Sequence, residues 1–277
     1  MIRRAYGKIN LSIDVLGRNE DGYHDLDMIE LPIDLYDEIE MTVSQQPSYS
    51  CNIDLPYDEK NLIHKTVEGM RRKYGFSENF DIRVSKNIPM NAGLAGGSCD
   101  AAAVIHLISD LLNLNLSEQE KCDFGCTIGA DVPFCLVNRP ARVRGIGEMI
   151  ETFELPESYD ILLIKPQDGV CTREAFETLD IARAQHPDIG KVQQALQNRQ
   201  PLGGLLGNSL LESAQRLLPV IGEIIEECRS HGFESVMMSG SGSTCFVLQE
   251  DGQDISRLYE SMKDRYDFVR KTAILTA

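Results

Sequence analysis

The sequence predicts a mixed α and β protein of two domains, 1–154 and 155–277. Three observations lead there. The chain has 277 residues, where a typical domain has about 100–200. Strand-type alternation and helix-type periodicity follow one another along its whole length. A loop with glycines at 93, 96 and 97 is set directly against a helix-forming segment that contains Ala101-Ala102-Ala103.

The elements follow in order. Ile9, Leu11, Ile13 and Val15 alternate with Asn10, Ser12 and Asp14, the pattern of a strand with one apolar face, which puts Lys8, Asn10 and Ser12 together on the other. Residues 35–43 and 80–88 also read as strands, and 61–74 has the period and polar rim of a helix. Ser117-Glu118-Gln119-Glu120 is a capping box that opens another helix, and Asp131-Val132-Pro133 suits the start of a third. The second domain begins near 155, with a strand over 159–164 and a turn at Pro166-Gln167-Asp168-Gly169. Residues 208–231 give two amphipathic helices divided at Pro219, the second ended by Gly232. Residues 235–238 and 245–248 flank Ser239-Gly240-Ser241-Gly242-Ser243-Thr244, which taken alone reads as a plain hairpin with a flexible loop.

The loop at 89–99 carries the chemistry. Its glycines allow positive φ and a close approach to the main chain, and Ser98 and Asp100 are the capping candidates for the helix that follows. The unpaired first-turn amides and the helix dipole favour a phosphoryl group there, the dipole contributing about 0.3–1 kcal/mol. It is not a Walker A loop, since no lysine precedes Ser98, and Gly93-x-x-Gly96-Gly97 is not the dinucleotide spacing. A glycine-rich turn before a core helix is the plain alternative.

Composition narrows the partners. Forty-three Asp and Glu against 27 Lys and Arg give a formal charge of −16, which argues against nucleic acid and anionic membranes, because both need a broad positive field. The purely aliphatic stretches fall far short of the roughly 18 residues that span a bilayer, and Met1-Ile2-Arg3-Arg4-Ala5-Tyr6 lacks the apolar run of a signal peptide. The expected location is the cytoplasm. The cysteines at 51, 99, 122, 126, 135, 171, 228 and 245 then read as reduced, buried small residues, and Cys122 and Cys126 lack the partners of a metal site.

Pro89-Met90-Asn91-Ala92-Gly93-Leu94-Ala95-Gly96-Gly97-Ser98-Cys99-Asp100 resembles the central motif of the GHMP small-molecule kinases. Ala5-Tyr6-Gly7-Lys8-Ile9-Asn10-Leu11 resembles their amino-terminal block, and Met238-Ser239-Gly240-Ser241-Gly242-Ser243-Thr244 their third, glycine-rich block. Asp21-Gly22-Tyr23-His24 and Gly129-Ala130-Asp131-Val132-Pro133-Phe134 are similar to the branch whose substrate carries a cytidine diphosphate moiety and serves isoprenoid precursor synthesis. The resemblance runs from residue 5 to about residue 250.

The resemblance implies an α+β fold of two lobes, the first like domain 2 of ribosomal protein S5 and the second ferredoxin-like, with the active site in the cleft between them. It implies ATP and Mg²⁺, a small-molecule substrate and a monomer or homodimer. Asp131 is then the general base for the substrate hydroxyl and Lys8 its cationic partner, although Asp before Val-Pro is also a good helix cap. Pro89 to Cys99 would wrap the ATP phosphates, with Met90, Asn91, Ala92, Gly93, Leu94, Ala95, Gly96, Gly97 and Ser98 between them. Asn61, Leu62 and Lys86 would line the adenosine part. Asn10, Tyr23, His24 and Phe176 would hold the substrate, Phe176 standing where many members place a tyrosine. Gly240, Ser241 and Gly242 form the third block.

Two departures bear on these expectations. Cys99 replaces a hydroxyl residue, and a neutral thiol is a poor ligand for the hard Mg²⁺ ion. Met28-Ile29-Glu30-Leu31-Pro32 is less typical beside the substrate block. Two other readings stay open: a relative acting on homoserine or mevalonate, and a nucleotide-binding module that has lost catalysis.

Overall fold

The computed structural model describes residues 1–20 and 22–276. Contacts divide the chain into two compact units that interleave along it. The first is Met1–Gly7, Leu35–Ile88 and Ala95–Asn138, and the second is Lys8–Asp34, Pro89–Leu94 and the chain from Arg139 on. The cause is the length of β1 (Ile2–Arg18) and β2 (His24–Ser44), each of which has residues in both units.

The first unit holds β3 (Ser48–Cys51), α1 (Leu62–Tyr74), β4 (Asn79–Ser85), α2 (Gly96–Leu111), α3 (Glu118–Cys126) and α4 (Val132–Val137). Residues 38–44 of β2 pair antiparallel with β4, and β4 pairs parallel with β3. Phe80, Ile82 and Val84 alternate inward from β4 and meet Val67 and Met70 of α1 and Val104, Ile105 and Ile108 of α2 in one core. Such a helix, apolar on all sides, has to be buried, and α2 is buried from Cys99 to Ile105 without a break. Asn61 caps α1 by accepting from the Ile63 amide at 2.9 Å, and Gly75 ends it in the left-handed region, φ 71°. Ser117 and Glu120 close the expected capping box of α3.

The second unit adds β5 (Ala141–Gly145), β6 (Met149–Thr152), β7 (Asp160–Lys165), α5 (Thr172–Glu177), α6 (Ile189–Gln197), α7 (Leu211–Leu217) and α8 (Val220–Ser230), then β8 (Val236–Met238), β9 (Cys245–Leu248), α9 (Ile255–Met262) and β10 (Phe268–Ala273). Residues 26–30 of β2 pair antiparallel with β5, and β5 with β6. A separate antiparallel sheet runs β10-β7-β9-β8. Its two middle strands are wholly buried over 161–164 and 245–248, as continuous apolar runs require when both faces are covered.

The mixed α+β class expected from the sequence is what the chain adopts. The face of the first strand that carries Lys8, Asn10 and Ser12 is buried, as is the face with Ile9 and Leu11. Three local expectations are corrected. The loop 239–244 is anchored and not a free hairpin end, since Asn208 Nδ2 donates to the carbonyls of Met238 at its base and Gly240 within it, both at 2.9 Å. Cys126 and Cys171 are exposed, while Cys99, Cys228 and Cys245 are buried, and none of the eight cysteines is joined in a disulfide. Neither Ser98 nor Asp100 caps α2, because that helix opens earlier, with Ala95 at the cap position. Among the described residues no helix is long and apolar enough to cross a membrane.

Candidate active site

In the second unit three separated stretches of sequence meet on their backbones. The Ser239 hydroxyl accepts from the Asn10 amide at 3.1 Å and donates to the Gly93 carbonyl at 2.9 Å. The Thr244 amide donates to the Ala92 carbonyl, and the Lys8 amide to the Leu94 carbonyl, both at 3.2 Å. Packing there leaves no room for a side chain at 93: a Cβ would stand 2.2 Å from the Ser239 carbonyl oxygen, and the residue has φ 73°. Gly240 lies against Asn10 and Gly93, and the Ser241 hydroxyl is 2.7 Å from that of Thr172.

The loop backbone alternates. Asn91, Gly93 and Ala95 have φ of 51°, 73° and 57°, so every second residue from 91 to 95 is left-handed. Left-handed residues alternating with right-handed ones are the backbone pattern of an anion-binding nest, and the loop leads into the N-terminus of α2, whose first-turn amides have no partner within the helix. Gly96 and Gly97 are themselves helical, so their role differs from the positive φ expected of them. They permit close approach: a Cβ at 96 would lie 3.0 Å from Ile88 Cγ2 and 3.4 Å from Lys86 Nζ, and one at 97 would lie 3.4 Å from Leu62 Cδ1.

Lys8 and Asn10, two apart on β1, share a face. The Lys8 ammonium donates to Asn10 Oδ1 at 2.8 Å and to Glu30 Oε1 at 2.5 Å, and Asn10 Nδ2 donates to the same Glu30 oxygen at 2.8 Å. All three side chains are buried. Glu30 belongs to the atypical segment 28–32, yet sequence reasoning gave it no role. The available signal was a carboxylate in the apolar run Met28-Ile29-Glu30-Leu31.

In the first unit Lys86 is buried between Asp37 and Asp100, 2.6 Å from Asp100 Oδ2 and bonded to Asp37 Oδ2. Burial pushes the Asp100 carboxyl up to about 7, with the Lys86 charge working against that rise and Asp37 with it. Asn61 is occupied as the cap of α1. Asp131 occupies the N-cap position of α4 but makes no capping bond with its side chain, so the plain capping alternative is not realised. The Cys99 and Cys135 sulfurs lie 3.2 Å apart.

Of the expected substrate residues, His24 and Phe176 are brought together, with ring centroids 4.8 Å apart and planes inclined by 30°. Burial, and then the Arg18 charge, lower the His24 imidazole from its usual value, which favours the neutral ring. Tyr23 is 59% exposed, and Asp21 of the same block lies outside the described residues.

Comparison with known proteins gives the family. The model of the GHMP kinases N terminal domain matches residues 61–139, and that of the GHMP kinases C terminal matches 181–267. A 4-diphosphocytidyl-2-C-methyl-D-erythritol kinase of Clostridium beijerinckii is 39% identical, over 97% of this chain and 99% of its own length. The crystal structure of a 4-(cytidine 5'-diphospho)-2C-methyl-D-erythritol kinase superposes with a TM-score of 0.84 at 29% identity and covers 99% of both chains. A homoserine kinase from Cytophaga hutchinsonii, at 17% identity and a TM-score of 0.78 over 99% of this chain and 94% of its own, shares the fold. This chain belongs to the GHMP kinase family, together with the 4-diphosphocytidyl-2-C-methyl-D-erythritol kinases that it matches from end to end.

Proposed function

We propose that the protein transfers the γ-phosphoryl group of ATP to the 2-hydroxyl of 4-diphosphocytidyl-2-C-methyl-D-erythritol, a step in isoprenoid precursor biosynthesis. The observation that carries this reading is the 39% identity, over 97% of the chain, to a kinase named for that substrate. The paired rings of His24 and Phe176 support it, because a planar base suits an aromatic face.

In this reading Asp131 accepts the hydroxyl proton while the oxygen forms its bond to the γ-phosphorus and ADP leaves with the electrons of the broken P–O bond. The Lys8 ammonium stabilises negative charge on the transferred group, which is most of what a phosphoryl-transfer site contributes. The nest at 91–95 and the first turn of α2 hold phosphates through backbone amides. Asn61, Leu62 and Lys86 border the nucleoside end, Lys86 through its packing on Gly96 with its charge taken up by two aspartates. Asn10 and Tyr23 complete the substrate side, and Gly240, Ser241 and Gly242 close against the phosphate loop. Mg²⁺ would supply neutralisation of phosphate charge, and because the Cys99 thiol, 3.2 Å from the Cys135 sulfur, is a poor ligand for so hard an ion, phosphates and water would hold it.

The division at 154/155 separates the stretches matched by the two family domain models. Purified protein with Mg²⁺ and ATP should release ADP with 4-diphosphocytidyl-2-C-methyl-D-erythritol and not with homoserine or mevalonate. Equal turnover of either of the latter sinks the assignment of substrate.

A further inference from the structure

A lysine buried on a strand keeps its charge only if something offsets the loss of water. For Lys8 one such group is Glu30. The two residues are 4% and 1% exposed, and the carboxylate receives the ammonium at 2.5 Å. Asn10 completes a closed triangle: it accepts from Lys8 through Oδ1 and donates to Glu30 through Nδ2, onto the same oxygen that Lys8 uses. Each of the three pairs is bonded, so no member turns about its side-chain bonds without breaking two contacts. Met28 Sδ lies 3.2 Å from Asn10 Nδ2 and backs the amide in that orientation. The Asn10 main chain is in turn tied through Ser239 to the Gly93 carbonyl, so the triangle is registered to the phosphate loop.

We propose that Glu30 is a positioning residue for phosphoryl transfer, which acts through Lys8 by supplying its counter-charge and fixing the direction of its ammonium group. Glu30 itself touches neither reactant. A merely structural ion pair would be replaceable by groups of similar shape and would set stability alone. A positioning pair sets turnover, because a charge that stabilises a transition state has to stand in place before the reaction begins. The proposal rests on the role assigned to Lys8 and is independent of which alcohol is phosphorylated.

The test is a double-mutant cycle on the full chain with Glu30→Gln and Lys8→Met, followed by steady-state kinetics, melting temperature and the thermal shift produced by Mg²⁺ and ATP. Glu30→Gln keeps the shape and an acceptor oxygen, and should lower kcat by on the order of 10²-fold. KM for both substrates and the ATP-induced shift should stay near wild type. On the Lys8→Met background Glu30→Gln should cause no further loss, to within about twofold, since the two residues act as one unit. Glu30→Asp retains the charge on a shorter arm and guards against a glutamine variant that fails to fold; it should lose kcat with KM unchanged. Wild-type kcat in Glu30→Gln, with Lys8→Met inactive, overturns the proposal and leaves the role of Lys8 standing. Equal losses on both backgrounds overturn it too, by separating Glu30 from Lys8. Full activity in Lys8→Met overturns the role of Lys8 and the proposal with it.

Discussion

Asp131 stands where a helix cap would stand, and its side chain does not cap. That separates two roles which the same residue type serves. Asparagine caps as well as aspartate but does not accept a proton at neutral pH, so Asp131→Asn should lower kcat by roughly 10²–10⁴-fold, and differential scanning fluorimetry should show little change in melting temperature. Near-normal turnover in this variant would remove Asp131 from the chemistry. His106 makes a second prediction, about stability. Burial, reinforced by Arg3 and Lys121, lowers its imidazole to about 4 from the usual 6.5. Between those values the unfolded chain binds a proton that the native protein refuses, so stability falls as pH falls from about 6.5 to about 4, by on the order of 2–3 kcal/mol. His106→Gln should flatten the decline of melting temperature over that interval, and an unchanged slope would assign the acid limb to other groups. Lys8, Asn10 and Asp131 stand out in the sequence because each sits in a short block of distinctive spacing, and their roles remain part of the proposal. Glu30 does not stand out: a carboxylate in an apolar strand gains meaning only from its contact with a lysine 22 residues away in sequence.

At the scale of elements, α1, α3, α4, β7 and the divided helices α7 and α8 lie where periodicity and caps put them, to within three residues. The start of α2 did not. Sequence reasoning sought a polar cap at Ser98 or Asp100, whereas the helix is entered from a left-handed Ala95, and no residue type signals that conformation in alanine. The sequence did mark glycines at the loop, but close packing decides what each one does. Gly93 is the critical position, since its positive φ opposes any side chain and a Cβ there would stand 2.2 Å from the Ser239 carbonyl oxygen. Gly93→Ala should cost at least about 1–2 kcal/mol for the left-handed backbone alone. It should also abolish the rise in melting temperature on adding ATP, because the Gly93 carbonyl and its partner Ser239 would part. An ATP-induced shift of wild-type size would show that phosphates are held elsewhere.

For the whole molecule the governing quantity is charge. Sixteen uncompensated negative charges repel one another in the compact state, and many of the ion pairs that oppose them are exposed, such as Arg173 with Glu177 and Arg144 with Glu151, so each contributes little. The pairs that matter most, Lys8 with Glu30 and Lys86 with Asp37 and Asp100, are buried and little affected by salt. Screening therefore removes more repulsion than attraction. Raising sodium chloride from about 10 mM to 150 mM shortens the Debye length from about 30 to 8 Å, and the melting temperature should rise over that range and level off once the screening length falls below the spacing of surface charges. A fall would mean that the exposed pairs form a cooperative network stronger than their individual contributions. The same acidity opposes ATP, so in the proposed reading the attraction is local: backbone amides at 91–97 act over a short range, where the field of distant carboxylates is screened.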